Sequence, residues 1–281
     1  MLSSQFPLVS VIIPFLNGGN WLAEAIESVI GQSYPHWEII LIDDGSENLT
    51  TDIAVSYTYK LPQKIFYTHH SGHINKGVTI SRNAGIRLSK GTFIAFLDAD
   101  DCWLKEKLIH QLTIFKQHPL VQMVCEASHF WYSWNNTNEK DKIVNIGVKP
   151  DCIYSAPELI KCLYPLGKGA PPCPTGIMIK REALDRSGGF EESFSGVYQL
   201  YEDQAFLCKI YLKEAVYVSG TANNLYRKRP GSLTGLANDE IHYNKVRRFF
   251  LNWLEEYLTQ QHLHTNVVLQ LITAARLGLT S

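Results

Sequence analysis

The sequence has almost no net charge. Lys and Arg total 26 against 27 Asp and Glu, a formal charge of −1. The basic footprint of a nucleic-acid-binding domain is missing, so nucleic acid is excluded as a partner, and any membrane contact must come from a local patch. No two of the six cysteines (Cys102, Cys125, Cys152, Cys162, Cys173, Cys208) stand as Cys-x-x-Cys, so neither a zinc site nor a disulfide framework is indicated. They read as buried thiols of a reducing compartment. The apolar runs Leu8–Leu16 and Val267–Leu279 are too short or too interrupted to span a bilayer. The N-terminal Met-Leu-Ser-Ser-Gln-Phe-Pro has no charged segment followed by a long apolar run. These absences predict a cytoplasmic protein, at most peripheral to the inner face of a membrane. No Gly-x-Gly-x-x-Gly follows the first apolar run, which counts against a dehydrogenase.

What is present is a 281-residue chain of 45% hydrophobic content, enough for a sizeable α/β core and too apolar for disorder. Short apolar runs alternate with helical spacing through the first half, the pattern of stacked βα units on a largely parallel sheet. Val9–Ile13 reads as a buried strand stopped by Pro14. Asn20 reads as the cap of a helix with Leu22, Ala25, Ile26, Val29 and Ile30 on one face. Glu38–Ile42, Lys64–Thr68 and Thr92–Leu97 read as further strands, with a helix over Val78–Leu88. Beyond Gln117 the pattern predicts strands at Val121–Cys125 and Thr175–Lys180, a loop at Pro165–Pro174, and helices at Arg181–Ser187 and Glu202–Lys213. Asn238–Gly278 reads as nearly all helical. One domain with a helical tail fits better than two domains.

Two of the predicted strands end in acid: Asp43-Asp44 and Asp98-x-Asp100-Asp101. Ligands of open α/β sheets bind outside the carboxyl ends of the strands. Clustered carboxylates repel and call for a cation, and hard oxygen ligands suit Mg²⁺ or Mn²⁺. Acidic residues after strands also serve as turn formers and helix caps, a role open to Asp101 for a helix starting near Trp103 or Leu104.

Val9–Asn17 (Val-Ser-Val-Ile-Ile-Pro-x-x-Asn), Ile42–Ser46 (Ile-Asp-Asp-Gly-Ser), Asn75–Gly85 (Asn-x-Gly-x-x-x-x-Arg-Asn-x-Gly) and Phe96–Asp101 (Phe-Leu-Asp-Ala-Asp-Asp) follow one another as in family 2 glycosyltransferases. Gly188-Gly189-Phe190-Glu191-Glu192 and Glu202-Asp203 are similar to later landmarks of that family. Each motif alone is weak; six in order, over about residues 7–235, are specific. The resemblance implies a GT-A, Rossmann-like α/β domain with a central mixed, mostly parallel sheet flanked by helices. Its nucleotide-sugar half would cover about 1–120, its acceptor half 121–235, and a C-terminal helical extension 236–281.

By the same resemblance the chain transfers a sugar, of UDP-hexose type, from a nucleoside-diphosphate donor to a hydroxyl of a glycan or lipid-linked acceptor, with inversion and with Mn²⁺ or Mg²⁺. Asp44 would contact the base, and Pro14 would shape the nucleoside pocket. Asp98 and Asp100 would bridge the ribose and the metal, with Asp100 the first choice of ligand. Leu16 stands where the family often has an aromatic residue. Arg82 and Arg229 are the preferred cations for the diphosphate, with Lys76, Arg227 and Lys228 as further candidates; Ser232 sits in a loop suited to closing over the donor. Asp203 would be the catalytic base, its carboxyl raised by Glu202 beside it; a helix-start acidic pair favoured by the macrodipole is the rival reading, and Glu202 and Glu192 are the alternatives.

His69, His70 and His73 crowd one loop without zinc-site spacing. Phe130, Trp131, Tyr132 and Trp134 suit either stacking on sugars or the core. In the tail, Val246, Phe249, Phe250, Trp253, Leu254 and Leu258, edged by Lys245, Arg247 and Arg248, fit packing on the catalytic domain, a dimer contact or a membrane interface. Glu255 and Glu256 favour packing. Two rival functions remain: a nucleotidyltransferase making the activated sugar, and a non-catalytic nucleotide-sugar-binding relative. The first expects a basic Gly-rich loop, yet residues 14–20 hold Gly18-Gly19 and no Lys or Arg; the second is disfavoured by the complete acidic motifs.

Overall fold

The computed structural model describes residues 6–135, 139–229, 239–263 and 265–279. Ser232 and the boundary at 235/236 lie outside the described residues. Along the chain run β1 (Val9–Phe15), α1 (Gly19–Ile30), β2 (Trp37–Asp43), α2 (Asn48–Lys60), β3 (Ile65–His69), α3 (Val78–Leu88), β4 (Phe93–Phe96), β5 (Cys102–Trp103) and α4 (Lys107–Gln117). Then come β6 (Met123–Glu126), β7 (Ser128–Trp131), β8 (Lys142–Val144), β9 (Cys152–Tyr154), α5 (Glu158–Cys162), β10 (Ile177–Lys180), α6 (Arg181–Ser187), α7 (Glu202–Tyr211), β11 (Val216–Ser219), β12 (Asn224–Arg227), α8 (Glu240–Gln260) and α9 (Asn266–Leu277).

Eight strands form one mixed sheet in the order β3-β2-β1-β4-β10-β6-β11-β9. The first four are parallel, and β10 runs antiparallel between β4 and β6. Strand order reverses between β1 and β4, and at such a switch point the carboxyl ends open a crevice. A second, four-stranded sheet, β5-β12-β7-β8, stands beside it. Its strands have two to four residues, too few for alternation to register, so the sequence did not announce it. Helix α2 was equally silent, because its Thr- and Ser-bearing run has little amphipathic pattern.

Pro14 does not stop β1, which pairs with β2 as far as Phe15. Peptide groups alternate sides along a strand, and Leu97 N–H bonds Ile12 C=O, so Pro14 points the same way as Ile12, past the end of the β4 pairing. Its missing N–H therefore costs no ladder bond. Asn20 is not the cap of α1 either. Gly18 holds that place, and the Gly19 N–H donates instead to Thr50 Oγ1, 3.1 Å away. Helix α3 lies against the sheet at Gly85, where a Cβ would stand 2.5 Å from Ile12 Cγ2. Only glycine permits that approach, which brings Arg82 over the crevice.

The apolar face of the tail packs inward. Val246, Phe250, Leu251, Leu254 and Leu258 are buried in the core that also holds Phe194, Tyr201 and Phe206. Withdrawing such side chains costs about 1.5–3 kcal/mol each, so this face is a packing surface and is not presented outward. Among the described residues no helix is long and apolar enough to cross a membrane.

Candidate active site

The adjacent acids after β2 have separate tasks. Asp43 is fully buried and turns inward: its carboxylate accepts from Ser46 N (2.7 Å), Thr51 Oγ1 (2.6 Å) and Tyr67 OH (3.2 Å). Burial works to raise its pKa, but these bonds outweigh it and hold Asp43 below the usual value. Asp44 lines the crevice and accepts from the backbone N–H of Lys76 (2.7 Å) and Gly77 (3.0 Å). His70 Nε2 lies 3.4 Å from Asp44 and 2.8 Å from Ser81 Oγ. Burial lowers the pKa of His70, favouring a neutral imidazole. His69 and His73 stack on each other, with His73 Nε2 3.4 Å from Asp43.

The loop after β4 divides in the same way. Asp101 is almost fully buried, and no helix starts near it; α4 begins at Lys107, so the capping reading fails. Asp101 accepts instead from Thr175 Oγ1 (2.7 Å) and from Arg227 N–H (2.9 Å). Burial, joined by the charges of Asp100 and Asp98, pushes its carboxyl well above the usual range. Asp98 and Asp100 stay partly exposed to the crevice. Asp100 Oδ2 is 2.8 Å from Arg229 Nε, and Asp98 Oδ1 is 2.7 Å from an amino group of Arg82.

Arg227, a candidate diphosphate cation in the sequence, is buried and committed elsewhere. Its Nε donates to Asp100 C=O (2.6 Å) and an amino group to Glu24 (2.5 Å). The guanidinium lies among the rings of Trp131 (4.4 Å), Trp134 (5.0 Å) and Trp21 (5.8 Å). Arg227 touches the crevice wall, but these bonds also tie the second sheet to the acidic loop. Trp131 and Trp134 are thereby accounted for, whereas Phe130 lines the crevice. The Lys228 Nζ sits over the rings of Phe130 and Tyr226, and the Lys76 side chain is exposed.

Arg82 is almost fully buried and bridges two carboxylates, Asp98 and Glu202 (2.5 Å). Glu202 and Asp203 open α7, and their α-helical first turn points into the crevice. Burial pushes Glu202 up to about 7, against the opposing Arg82 charge and with help from Asp203. Burial likewise pushes Asp203 up to about 6, against Arg82 and the Gln204 N–H that its carboxylate accepts at 2.7 Å. Asp203 is the less committed of the two, since Glu202 is clamped by the guanidinium. Glu192 stands away from this pair, bonded to Asn83 Nδ2.

One cavity of about 840 Å³ is lined by Pro14, Leu16, Asp44, Arg82, Asp98, Asp100, Asp203 and Arg229, so the residues preferred for donor, metal and base meet in a single crevice, while Lys76, Lys228 and Glu192 do not line it. The oxygen set of Asp98 and Asp100 fits Mg²⁺ or Mn²⁺, which takes one or two protein carboxylates and completes its shell with phosphate and water. Among the described residues no group of three acidic, His or Cys side chains could hold a metal ion by itself. Sequence reasoning missed Thr175, Trp21, Glu24 and the buried pair Lys107–Glu126 behind the second sheet; each lies outside the motifs, and only the fold brings it near.

The family model described as "Glycosyl transferase family 2" matches residues 10–188. The chain belongs to that family. A glycosyltransferase of Rickettsia typhi is 35% identical over 266 residues, covering 89% of this chain and 69% of its own. The putative teichuronic acid biosynthesis glycosyltransferase TuaG of Bacillus subtilis is 37% identical over 127 residues, 45% of this chain and 47% of TuaG. The chain thus spans about half of one relative and about two thirds of the other. Among solved structures, Staphylococcus aureus TarS 1-349 in complex with UDP-GlcNAc superposes with a TM-score of 0.62 at 21% identity, over 86% of this chain and 65% of that one. The mannosyltransferase PcManGT of Pyrobaculum calidifontis, in complex with GDP-Man and Mn²⁺, gives 0.55 at 16% identity, over 97% and 74%. These likenesses establish the GT-A fold, and the family makes the chain a glycosyltransferase.

Proposed function

We propose that this glycosyltransferase moves a hexose-type sugar from a nucleoside diphosphate, UDP first among them, to an acceptor hydroxyl with inversion, in cytoplasmic synthesis of a glycan, polysaccharide or glycolipid. The observation that carries the reading is the crevice itself: Asp44, the acidic pair Asp98 and Asp100, and Asp203, a carboxylate of raised pKa, line one cavity of about 840 Å³. The TarS complex with UDP-GlcNAc and the PcManGT complex with GDP-Man and Mn²⁺ support it by analogy of fold. So does the assignment of TuaG to teichuronic acid synthesis.

Asp44, held by two backbone N–H groups, presents its remaining acceptor capacity to an N–H of the base, while Pro14 and Leu16 form the apolar wall. Asp100, with Asp98 beside it, would hold the divalent cation, which when bound offsets the charge gathering on the departing diphosphate. Arg229 brings a cation to the same end of the cavity. Arg82 acts through its bridge between Asp98 and Glu202, keeping the donor end and the base end in fixed relation. Asp203 takes the acceptor hydroxyl proton as the new C–O bond forms and the bond to the diphosphate breaks. The nucleotidyltransferase reading is weaker, because the β1–α1 turn offers no cation for a triphosphate.

Calorimetry tests the donor side. UDP is expected to bind with Mn²⁺ or Mg²⁺ and about tenfold or more weakly with chelator, a difference of about 1.4 kcal/mol. Asp100→Asn should lose most of the metal-dependent part. Equal UDP affinity with and without metal in the parent protein would remove Asp98 and Asp100 from the assignment.

A further inference from the structure

Helix α8 lies beyond residues 10–188 and outside the crevice lining, yet it grips the segment that leads into the catalytic turn. The 3-10 turn Gly196–Tyr201 runs straight into Glu202 and Asp203, and its Gln199 and Leu200 form part of the cavity wall. Tyr201, the residue before Glu202, is buried with its hydroxyl against that of Tyr164. From α8, Arg247 donates to Tyr201 OH (3.2 Å), to Tyr243 OH (3.3 Å) and to Pro165 C=O (3.1 Å), and Tyr243 OH meets Tyr164 OH at 2.9 Å. One turn further back, the Phe249 ring stacks on Tyr198 at 3.9 Å.

Three phenols and a guanidinium are a poor choice for holding a helix by packing alone. Apolar side chains of similar volume would serve that end without desolvating a charge. What the polar cluster adds is direction: a hydrogen-bonded hydroxyl fixes the Tyr201 ring in one orientation, and through one peptide fixes the start of α7. Glu202 is then pinned from its other side by Arg82. The catalytic turn is held between α3 and α8, and Asp203 projects from the fixed segment.

We infer that Tyr243 and Arg247 are positioning residues for the Glu202–Asp203 turn, acting through the Tyr201 hydroxyl. The inference rests on Asp203 being the catalytic base. It assigns to the tail a part in the turnover step, separate from donor binding.

Tyr243→Phe and Arg247→Met test it in the full-length protein, with Mn²⁺ and UDP-GlcNAc or UDP-glucose as probes. UDP release by donor hydrolysis is the rate assay, UDP calorimetry the binding assay, and amide exchange of Gln204, whose N–H bonds Asp203, reads the turn without turnover. Both variants are expected to keep UDP affinity and KM, to lose about tenfold in kcat, and to exchange Gln204 faster; Arg247→Lys should recover part of the rate. Arg276→Met, which cuts the α9 contact to Glu255 and Asn252 elsewhere in the tail, should change none of these. Parent-like kcat and parent-like Gln204 exchange in both folded variants overturn the inference, as does a parallel loss of UDP affinity and rate. If Asp203→Asn hydrolyses donor at the parent rate, the choice of base fails instead. If the parent releases no UDP, exchange at Gln204 alone decides whether the clamp orders the turn. If a variant does not fold, the remaining one carries the test.

Discussion

Asp203→Asn is expected to leave nucleotide affinity intact and to cut turnover by about 10²–10⁴-fold, the usual contribution of a positioned base, equivalent to about 3–5 kcal/mol in the barrier. The direction follows from geometry. Asp203 lines the crevice and has one carboxylate oxygen on the Gln204 N–H. Asn keeps the shape and an oxygen for that bond but cannot take a proton. The pH dependence has a definite sign. A base works ionised, and burial puts the Asp203 pKa at about 6 and that of Glu202 at about 7. Because the two carboxylates are neighbours, the pair titrates with macroscopic values. Activity should therefore be full above about pH 7 and fall as the pH drops through 6, and Asp203→Asn should flatten that acid limb. The measurement is kcat across pH 5–8 by UDP release, with UDP titrated calorimetrically into both proteins. Parent-like turnover in Asp203→Asn would move the base to Glu202.

Lys107→Met is expected to destabilise the fold by about 3–5 kcal/mol, the range for removing one partner of a buried ion pair. At about 2–4 °C per kcal/mol for a chain of this order, Tm should fall by roughly 10 °C. Lys107 and Glu126 both have zero exposure, with Nζ 3.2 Å from Oε1. Burial lowers the Lys107 pKa, and Glu126 works against that shift. Glu126 also accepts from Asn223 N–H (3.2 Å) and Asn224 Nδ2 (3.0 Å), so it locks the end of β6 to the start of β12. Without the ammonium, the carboxylate is left uncompensated where water does not reach. The double variant Lys107→Met, Glu126→Gln should recover much of the loss, since a neutral pair removes the buried charge while Gln keeps an acceptor for the two Asn donors. A Tm for Lys107→Met within a degree or two of the parent would show that the pair is inert.

The sequence by itself determined the α/β character of the first half and the place of the crevice. Parallel strands buried on both faces must be continuous apolar runs, so Val9–Ile13 and Glu38–Ile42 stood out, and acids directly after such runs have only the carboxyl edge of the sheet to occupy. Helix α6 was legible for a similar local reason, since Gly188 ends it in the left-handed conformation. The tertiary structure alone decided which member of each acidic pair is taken up by internal hydrogen bonds and which stays open to the crevice. Asp43 and Asp44 differ in sequence by one position and in space by a whole side of the strand; the Asp101 carboxylate is taken up by Thr175 and the Arg227 N–H, 74 and 126 residues away, while that of Asp100 meets Arg229. The same holds for Arg227 and Arg229. In sequence both are cations at the end of one apolar run, but Arg227 is buried among three tryptophans while Arg229 stays partly exposed beside Asp100. The reason is physical: hydrogen-bond satisfaction and desolvation are set by neighbours distant along the chain, and local pattern carries only the alternation of faces, not what those faces meet.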